Sequence, residues 1–113
     1  MSNLKLKEKP TLKDYQEYVN MLEVQRGFID QDVIVKCLLL GEEIGELFKA
    51  IRKSKNIKID VNANVGTVKE EIADILIYLC SIANRFDIDI EEAFRVSCIL
   101  RIKANPQTYP NIR

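Results

Sequence analysis

Two acidic motifs on the apolar faces of predicted helices are the part of this sequence best suited to chemistry. Residues three or four apart share a helix face, so Glu43 pairs with Glu46, and Glu71 pairs with Asp74. No cation lies four positions after any of these acids, and Lys49, three after Glu46, is the one candidate partner at helical spacing. Carboxylates in apolar surroundings without counter-charges are protonated, paired across helices, or bound to a metal ion.

Either motif alone is also typical of a solvated surface. The chain has 17 acidic residues among 113, so two acids three apart on a helix often arise by chance. The two motifs together favour a site, because each lies beside a stripe of core-forming residues on a central helix. Glu42 and Glu70 each lie about 100° around the helix from the neighbouring acid. Each could therefore support the other acids from an adjacent position or simply face solvent.

If the four acids converge, electrostatics favour a bound cation. Two carboxylates about 5 Å apart repel by roughly 3 kcal/mol at an effective dielectric of 20, against a total stability of about 5–15 kcal/mol for a domain. Protonation offsets part of this repulsion, and a divalent cation offsets all of it. Oxygen ligands without His or Cys select hard ions, so we expect Mg²⁺, with Mn²⁺ as a substitute. Carboxylate-bound Mg²⁺ completes its shell with water and substrate phosphate, which predicts phosphoryl or pyrophosphoryl displacement.

Composition argues against several other functions. The chain contains no histidine, which removes imidazole-based triads and the Glu-x-x-His di-iron pattern. Cys37, Cys80 and Cys98 are scattered in apolar helical contexts, as expected for reduced core thiols in a cytoplasm rather than for zinc ligands. Lys+Arg and Asp+Glu balance at 17 each, so no net charge attracts nucleic acid or an anionic membrane.

No segment of the sequence reads as a membrane or export signal. The longest apolar stretch, residues 75–80, is far too short to span a bilayer. The first ten residues contain no apolar segment of signal-peptide length. We therefore expect a cytoplasmic protein.

Hydrophobic periodicity predicts one all-α domain of the four-helix-bundle type, covering residues 1–113. The predicted helices cover residues 11–26, 30–53, 67–86 and 89–105. Their predicted N-caps are Thr11, Asp30, Thr67 and Asp89. Gly27 ends the first helix and Pro106 limits the fourth. Residues 54–66 lack helical period and are predicted to form a loop.

The third predicted helix points to self-assembly. Apolar residues between positions 72 and 86 cover nearly its whole circumference. A helix that is apolar all round is buried all round, and a domain of this size has little room for such a helix. We therefore expect one face to pack within the subunit and another against a second copy, giving a homo-oligomer.

The chain resembles the MazG-like, all-α nucleoside triphosphate pyrophosphohydrolases. The signature of that family is Glu-Glu-x-x-Glu, a variable spacer, and then Glu-x-x-Asp. Glu42, Glu43 and Glu46 match the first part, and Glu71 and Asp74 match the second. The resemblance continues through the surrounding helices and covers roughly residues 25–105.

The resemblance implies hydrolysis of the α–β phosphoanhydride of a nucleotide to the monophosphate and pyrophosphate. It assigns Glu43, Glu46, Glu71 and Asp74 as metal ligands. Glu42 matches an acid that orients a ligand or accepts a proton from the attacking water, which makes Glu42 and Glu43 the expected catalytic residues. Family members assemble as dimers or dimers of dimers with sites built from more than one subunit, which agrees with the character of the third helix.

Candidate phosphate-binding residues are Lys53, Arg85, Arg101 and Asn105. Lys53 and Arg85 follow the acidic motifs on nearly the same helix faces, although a cation in the last turn of a helix is also expected from the helix dipole. Arg101 and Asn105 match a Lys-x-x-x-Asn pattern of many relatives. Two alternatives stay open: phosphoribosyl-ATP pyrophosphohydrolase, which cleaves the same bond, and a non-catalytic helical oligomerisation or partner-binding module.

Overall fold

The computed structural model describes residues 4–104. Within that range the chain forms helices and no strand, which confirms the predicted all-α fold. The helices are α1 (Leu12–Arg26), α2 (Val33–Ser54), α3 (Val68–Arg85) and α4 (Ile90–Ala104). The segment between α2 and α3 is irregular, as predicted. No helix in this part of the chain is long and apolar enough to cross a membrane.

The first helix begins and ends as its sequence predicts. The Thr11 hydroxyl accepts a hydrogen bond from the Asp14 amide at 3.2 Å, and the Asp14 carboxylate accepts one from the Thr11 amide at 2.9 Å. This reciprocal capping box satisfies amides that the first helical turn leaves unpaired. Gly27 ends α1 with a left-handed φ of 75°, a conformation that costs glycine little.

The predicted cap of the second helix is wrong by two residues. Residues 28–31 continue as a turn, in which the Phe28 amide donates to the Glu23 carbonyl at 2.8 Å and the Gln31 amide donates to the Phe28 carbonyl at 3.1 Å. The helix therefore begins later than the sequence suggested. The Asp32 side chain, not that of Asp30, caps it by accepting from the Ile34 amide at 3.1 Å.

The caps of α3 and α4 are those predicted. The Thr67 hydroxyl accepts from the Glu70 amide at 3.1 Å and donates to the Glu70 carboxylate at 3.0 Å. The Asp89 carboxylate accepts from the Glu92 amide at 3.1 Å. Each cap pins the start of its helix. At Thr67 this also fixes the backbone next to the second acidic motif.

A single subunit has a small core and an open shape. The largest interhelical contact joins α2 to α3, α1 packs on α3, and α4 contacts α1. The radius of gyration of the Cα atoms is 17.0 Å, against about 13 Å for a compact domain of this length. Among residues 4–104, the buried apolar residues are Val19, Ala50, Cys80 and Ala83. No described residue of α4 is buried.

A network of side-chain hydrogen bonds joins α1 to the junction between α3 and α4. The buried Gln16 side-chain amide donates to the Asn84 side-chain oxygen at 3.1 Å and to the Ile88 carbonyl at 2.8 Å. Its oxygen accepts from the Ile90 amide at 2.9 Å, and the Asn84 side chain donates to the Gln16 carbonyl at 2.9 Å. Every polar atom of the Gln16 side chain is thus satisfied, as burial requires.

Several apolar residues that the sequence placed in a core are exposed on the subunit. On α3 these are Ile72, Ile77, Leu79 and Phe86 at its end. Cys80 is buried as predicted, whereas Cys37 is exposed on the outer side of α2 and Cys98 is partly exposed. A second copy covering these faces stays a prediction.

Candidate metal centre

Three carboxylates from two helices meet where α2 packs on α3. Glu43 comes from α2, and Glu71 and Asp74 come from consecutive turns of α3. One carboxylate oxygen from each residue lies within 4.8 Å of the other two. The spacing of three within each motif places the acids on the inner helix faces. The interhelical contact then converts two sequence motifs into one acidic cluster.

The Glu71 carboxylate is the member of this cluster whose surroundings best suit cation binding. Glu71 is 7% exposed, and among the described residues its buried Oε2 atom has no hydrogen-bond partner while the neighbouring acids are ionised. An unpaired buried polar atom costs about 1–3 kcal/mol, and more when the group is charged. Oxygen donors from three acids fit a hard divalent ion, which would both offset most of the charge of the cluster and bond this oxygen.

Burial and the neighbouring acids both favour the protonated form of Glu43. Burial, the hydrogen-bonding contact with Glu71, and the charges of Asp74, Glu71 and Glu46 together raise the pKa of Glu43 from 4.5 to about 7. A protein without bound metal therefore relieves part of the repulsion by keeping a proton on Glu43. The sequence argument anticipated both means of relief, protonation and a cation.

The raised pKa of Glu43 predicts that the metal-free protein loses stability as pH rises. The unfolded chain releases this proton near pH 4.5, whereas the folded chain keeps it to about pH 7. Between these values the native state binds more protons, so the free energy of unfolding falls as pH increases. We expect the melting temperature in a chelator to decrease across this window. A Glu43→Gln variant that retained the same slope would contradict this assignment.

Two acids of the first motif lie outside the cluster. Glu46 is partly exposed and contacts Lys49 at 3.4 Å, the partner that its spacing suggested. An exposed pair of this kind contributes only about 0–1 kcal/mol, so it does not prevent Glu46 from turning toward a cation. Glu42 is solvent-exposed. The pKa of Tyr78 is raised mainly by burial and further by nearby acidic charges, of which Glu42 is one.

A cavity of about 290 Å³ adjoins the acidic cluster. Glu43 and Asp74 form part of its wall, and Phe28, Tyr78 and Lys36 form another part. The Lys36 ammonium lies 5.3 Å from the centre of the Phe28 ring and 5.8 Å from that of Tyr78, within the range of cation–π attraction. The cavity thus combines acids, aromatic rings and one buried cation.

A buried ion-pair network supports the far wall of this cavity. The Arg85 guanidinium donates to both carboxylate oxygens of Glu23, at 3.1 and 2.8 Å, and to the Ser81 hydroxyl at 2.7 Å. Lys36 contacts Glu23 at 3.4 Å. Burial alone would raise the pKa of Glu23, but hydrogen bonds from Arg85 and Ser81 and the charges of Arg85 and Lys36 hold it below its ordinary value.

The Arg85 guanidinium also holds the turn between α1 and α2. Its Nε atom donates to the Gln31 carbonyl at 3.0 Å, and Nη2 donates to the Phe28 and Ile29 carbonyls at 3.0 and 3.3 Å. All three guanidinium nitrogens therefore have partners inside the subunit. These contacts favour a positioning role for Arg85, and direct phosphate binding by it stays a prediction.

The other predicted phosphate ligands do not line this cavity or lie beyond the described chain. Lys53 is exposed in the last turn of α2, and Arg101 is exposed on α4. Neither lines the cavity beside the cluster. Asn105 lies outside the described residues. Their substrate contacts stay predictions.

The sequence interpretation missed two residues that shape this site. Lys36 precedes Glu43 by seven residues and so shares its helix face, a signal that was available. Glu23 offered no comparable signal, because an acid near the end of an amphipathic helix normally faces solvent. Only the packing of α1 on α3 brings it to Arg85.

Comparison with known families identifies a relationship that covers most of the chain. A family model described as the MazG nucleotide pyrophosphohydrolase domain matches residues 18–106. This range includes both acidic motifs, the buried ion-pair network, the C-terminal part of α1 and all of α2, α3 and α4. Searches of the curated proteins and of the solved structures gave no match.

Proposed function

Because the chain belongs to the MazG nucleotide pyrophosphohydrolase family, we propose that it cleaves the α–β phosphoanhydride of a (deoxy)nucleoside triphosphate in an Mg²⁺-dependent hydrolysis. The products are the monophosphate and pyrophosphate. The observation that carries the proposal is the convergence of Glu43, Glu71 and Asp74 around the unpartnered Glu71 oxygen. We take the 113 residues as one domain of this family.

Glu43, Glu71 and Asp74 would hold Mg²⁺, or Mn²⁺ in its place, with Glu46 completing the set. Such an ion supplies positive charge to phosphate oxygens and lowers the pKa of water. Glu43 and Asp74 line the cavity, so a triphosphate entering it would meet the cluster along one wall. Lys53, Arg101 and Asn105 are the proposed additional phosphate contacts.

Glu42 and Glu43 have different proposed roles despite being neighbours. Glu43 lies in the acidic cluster and is the proposed metal ligand. Glu42 lies on the exposed side of α2, where a carboxylate can take a proton from an attacking water and pass it to solvent. General-base assistance of this kind contributes about 10²–10⁴-fold to a rate. Glu42 is therefore the proposed general base.

The nucleoside is proposed to occupy the cavity beside the cluster. Phe28 and Tyr78 offer aromatic surface, and Lys36 offers N–H donors that can reach a base or sugar oxygen. The network of Glu23 and Arg85 would hold Lys36 and the Phe28 turn in place. A concave pocket that combines aromatic walls with polar groups fixed in place is typical of small-molecule sites.

A nucleotide panel tests the proposed reaction. Purified protein is incubated with each common ribo- and deoxyribonucleoside triphosphate and with phosphoribosyl-ATP, and pyrophosphate and orthophosphate are measured separately. We expect pyrophosphate and monophosphate in equal amounts, with turnover abolished by a chelator and restored by Mg²⁺ or Mn²⁺. Orthophosphate release alone would contradict α–β cleavage. No turnover of any substrate would favour the non-catalytic alternative.

We propose that the functional form is a homo-oligomer, a dimer or a dimer of dimers. Residues spaced alternately four and three apart form one stripe along α2, exposed except at the half-buried Gly45: Ile34, Leu38, Gly41, Gly45 and Phe48. This is the spacing of a helix–helix seam. A Cβ atom added at either glycine would meet nothing within 4 Å, so a partner helix has room to approach closely. Contiguous exposed apolar surface of this kind often marks a protein–protein contact.

Charge on this stripe should separate the subunits. Leu38 is 68% exposed in the single subunit, so Leu38→Glu costs little unless a partner covers it. We expect the wild type to sediment as a dimer or tetramer at micromolar concentration and Leu38→Glu to sediment as a monomer with a lower melting temperature. Val61→Glu, at a loop position 93% exposed, is the matched control and should change neither. A stable wild-type monomer would refute the assembly.

A further inference from the structure

Gly66 differs from the other glycines of this chain because another side chain occupies the space where its Cβ atom would lie. A Cβ atom at position 66 would lie 2.5 Å from Glu71 Oε1 and 3.6 Å from Glu71 Cδ. Real Cβ atoms do not approach other heavy atoms to 2.5 Å. Corresponding atoms at Gly27, Gly41 and Gly45 would meet nothing within 4 Å. Gly27 instead needs its left-handed φ, which Gly66 does not have.

The backbone on either side of this contact is held in place. Gly66 immediately precedes Thr67, whose hydroxyl accepts from the Glu70 amide at 3.1 Å. The Thr67 carbonyl accepts from the Glu71 amide at 3.0 Å. A side chain at position 66 would therefore displace the end of the flexible Glu71 side chain rather than the start of α3.

We propose that Gly66 is a positioning residue for the metal ligand Glu71. Its bare Cα leaves the space that Glu71 Oε1 occupies, and so keeps the Glu71 carboxylate turned toward Glu43 and Asp74 with Oε2 available to the cation. Groups that orient a ligand typically change metal affinity by about 10–100-fold when they are altered. This inference rests on the proposed metal-dependent function, which it refines at one ligand.

Gly66→Ala tests the proposal with Mg²⁺ and Mn²⁺ as the probes. Each ion is titrated against the melting temperature of the full-length protein without substrate. We expect the concentration giving half of the maximal increase to rise by about tenfold or more relative to the wild type. Asn64→Ala, an exposed position in the same loop, should leave that concentration unchanged. An unchanged midpoint in Gly66→Ala would overturn the inference and leave the metal site intact.

A double variant separates an effect through Glu71 from a general effect on the loop. Glu71→Ala removes both the ligand and the atoms that a Cβ at position 66 would strike. We expect Gly66→Ala to weaken the metal response no further in that background. If Gly66→Ala weakens the metal response by the same factor in both backgrounds, the effect does not act through Glu71 and the proposal is wrong.

The same double variant covers a failure to fold. If Gly66→Ala alone does not fold, the Gly66→Ala/Glu71→Ala protein should fold, because the colliding carboxylate is gone. Circular dichroism and the melting temperature measure this rescue, and an unfolded double variant would overturn the proposal. A wild type whose melting temperature responds to neither ion would instead refute the metal site itself.

Discussion

Glu71→Gln is expected to reduce pyrophosphate release by at least about 100-fold, because loss of one ligand removes both charge and geometry from a metal-dependent site. The amide has nearly the shape of the carboxylate, so the fold should survive. The same change deletes one charge from a cluster in which Glu43 already keeps a proton up to about pH 7. The melting temperature of the metal-free variant should therefore equal or exceed that of the wild type. Asp74→Asn should behave in the same way.

The matched control for the loss of activity is the same substitution at a solvent-exposed acid. Glu91 lies on α4 and pairs with Arg95 at 3.2 Å in solvent. Glu91→Gln should keep wild-type turnover. Its melting temperature should rise on metal addition as much as that of the wild type. Steady-state rates on the best triphosphate, together with metal titrations, check both variants. Wild-type turnover in Glu71→Gln or Asp74→Asn would end the metal-site proposal.

Arg85→Met is expected to cost about 3–5 kcal/mol of unfolding free energy, the usual effect of removing one partner from a buried ion pair. The loss leaves the buried Glu23 carboxylate with Lys36 at 3.4 Å as its remaining cation. It also removes the donors to the Phe28, Ile29 and Gln31 carbonyls. This is a large part of the roughly 5–15 kcal/mol that holds a domain together. Urea unfolding measures the change.

Arg95→Met provides the control, because it breaks an Arg–Glu pair of the same chemistry on the surface. An exposed pair at i, i+4 contributes about 0.3–0.5 kcal/mol, so this variant should be nearly as stable as the wild type. Arg85→Lys should fall between the two, since lysine keeps the charge but loses the planar fork of donors. If Arg85→Met kept wild-type stability and only raised the KM for the nucleotide, Arg85 would be a phosphate ligand rather than a positioning residue.

The helices were readable from the sequence because their ends depend on local hydrogen bonds. Thr11 with Asp14, Gly27, Thr67 with Glu70, and Asp89 each act within four residues of their own position. The one misplaced boundary, at Asp30, arose because residues 28–31 form a turn. Arg85, from a helix distant in sequence, donates to three carbonyls of that turn. Local pattern carries no information about such a partner.

The two acidic motifs were likewise determined by the sequence alone, since spacing of three on a helix settles which side chains share a face. That Glu43 joins Glu71 and Asp74 while Glu46 turns to Lys49 depended on how α2 lies against α3. The burial of Glu23 and Lys36, the unpartnered Glu71 oxygen and the tight space at Gly66 were also decided only by the tertiary structure. Each of these features depends on contacts between residues far apart in sequence. A charged side chain normally prefers solvent, and it is buried only where such contacts supply a partner.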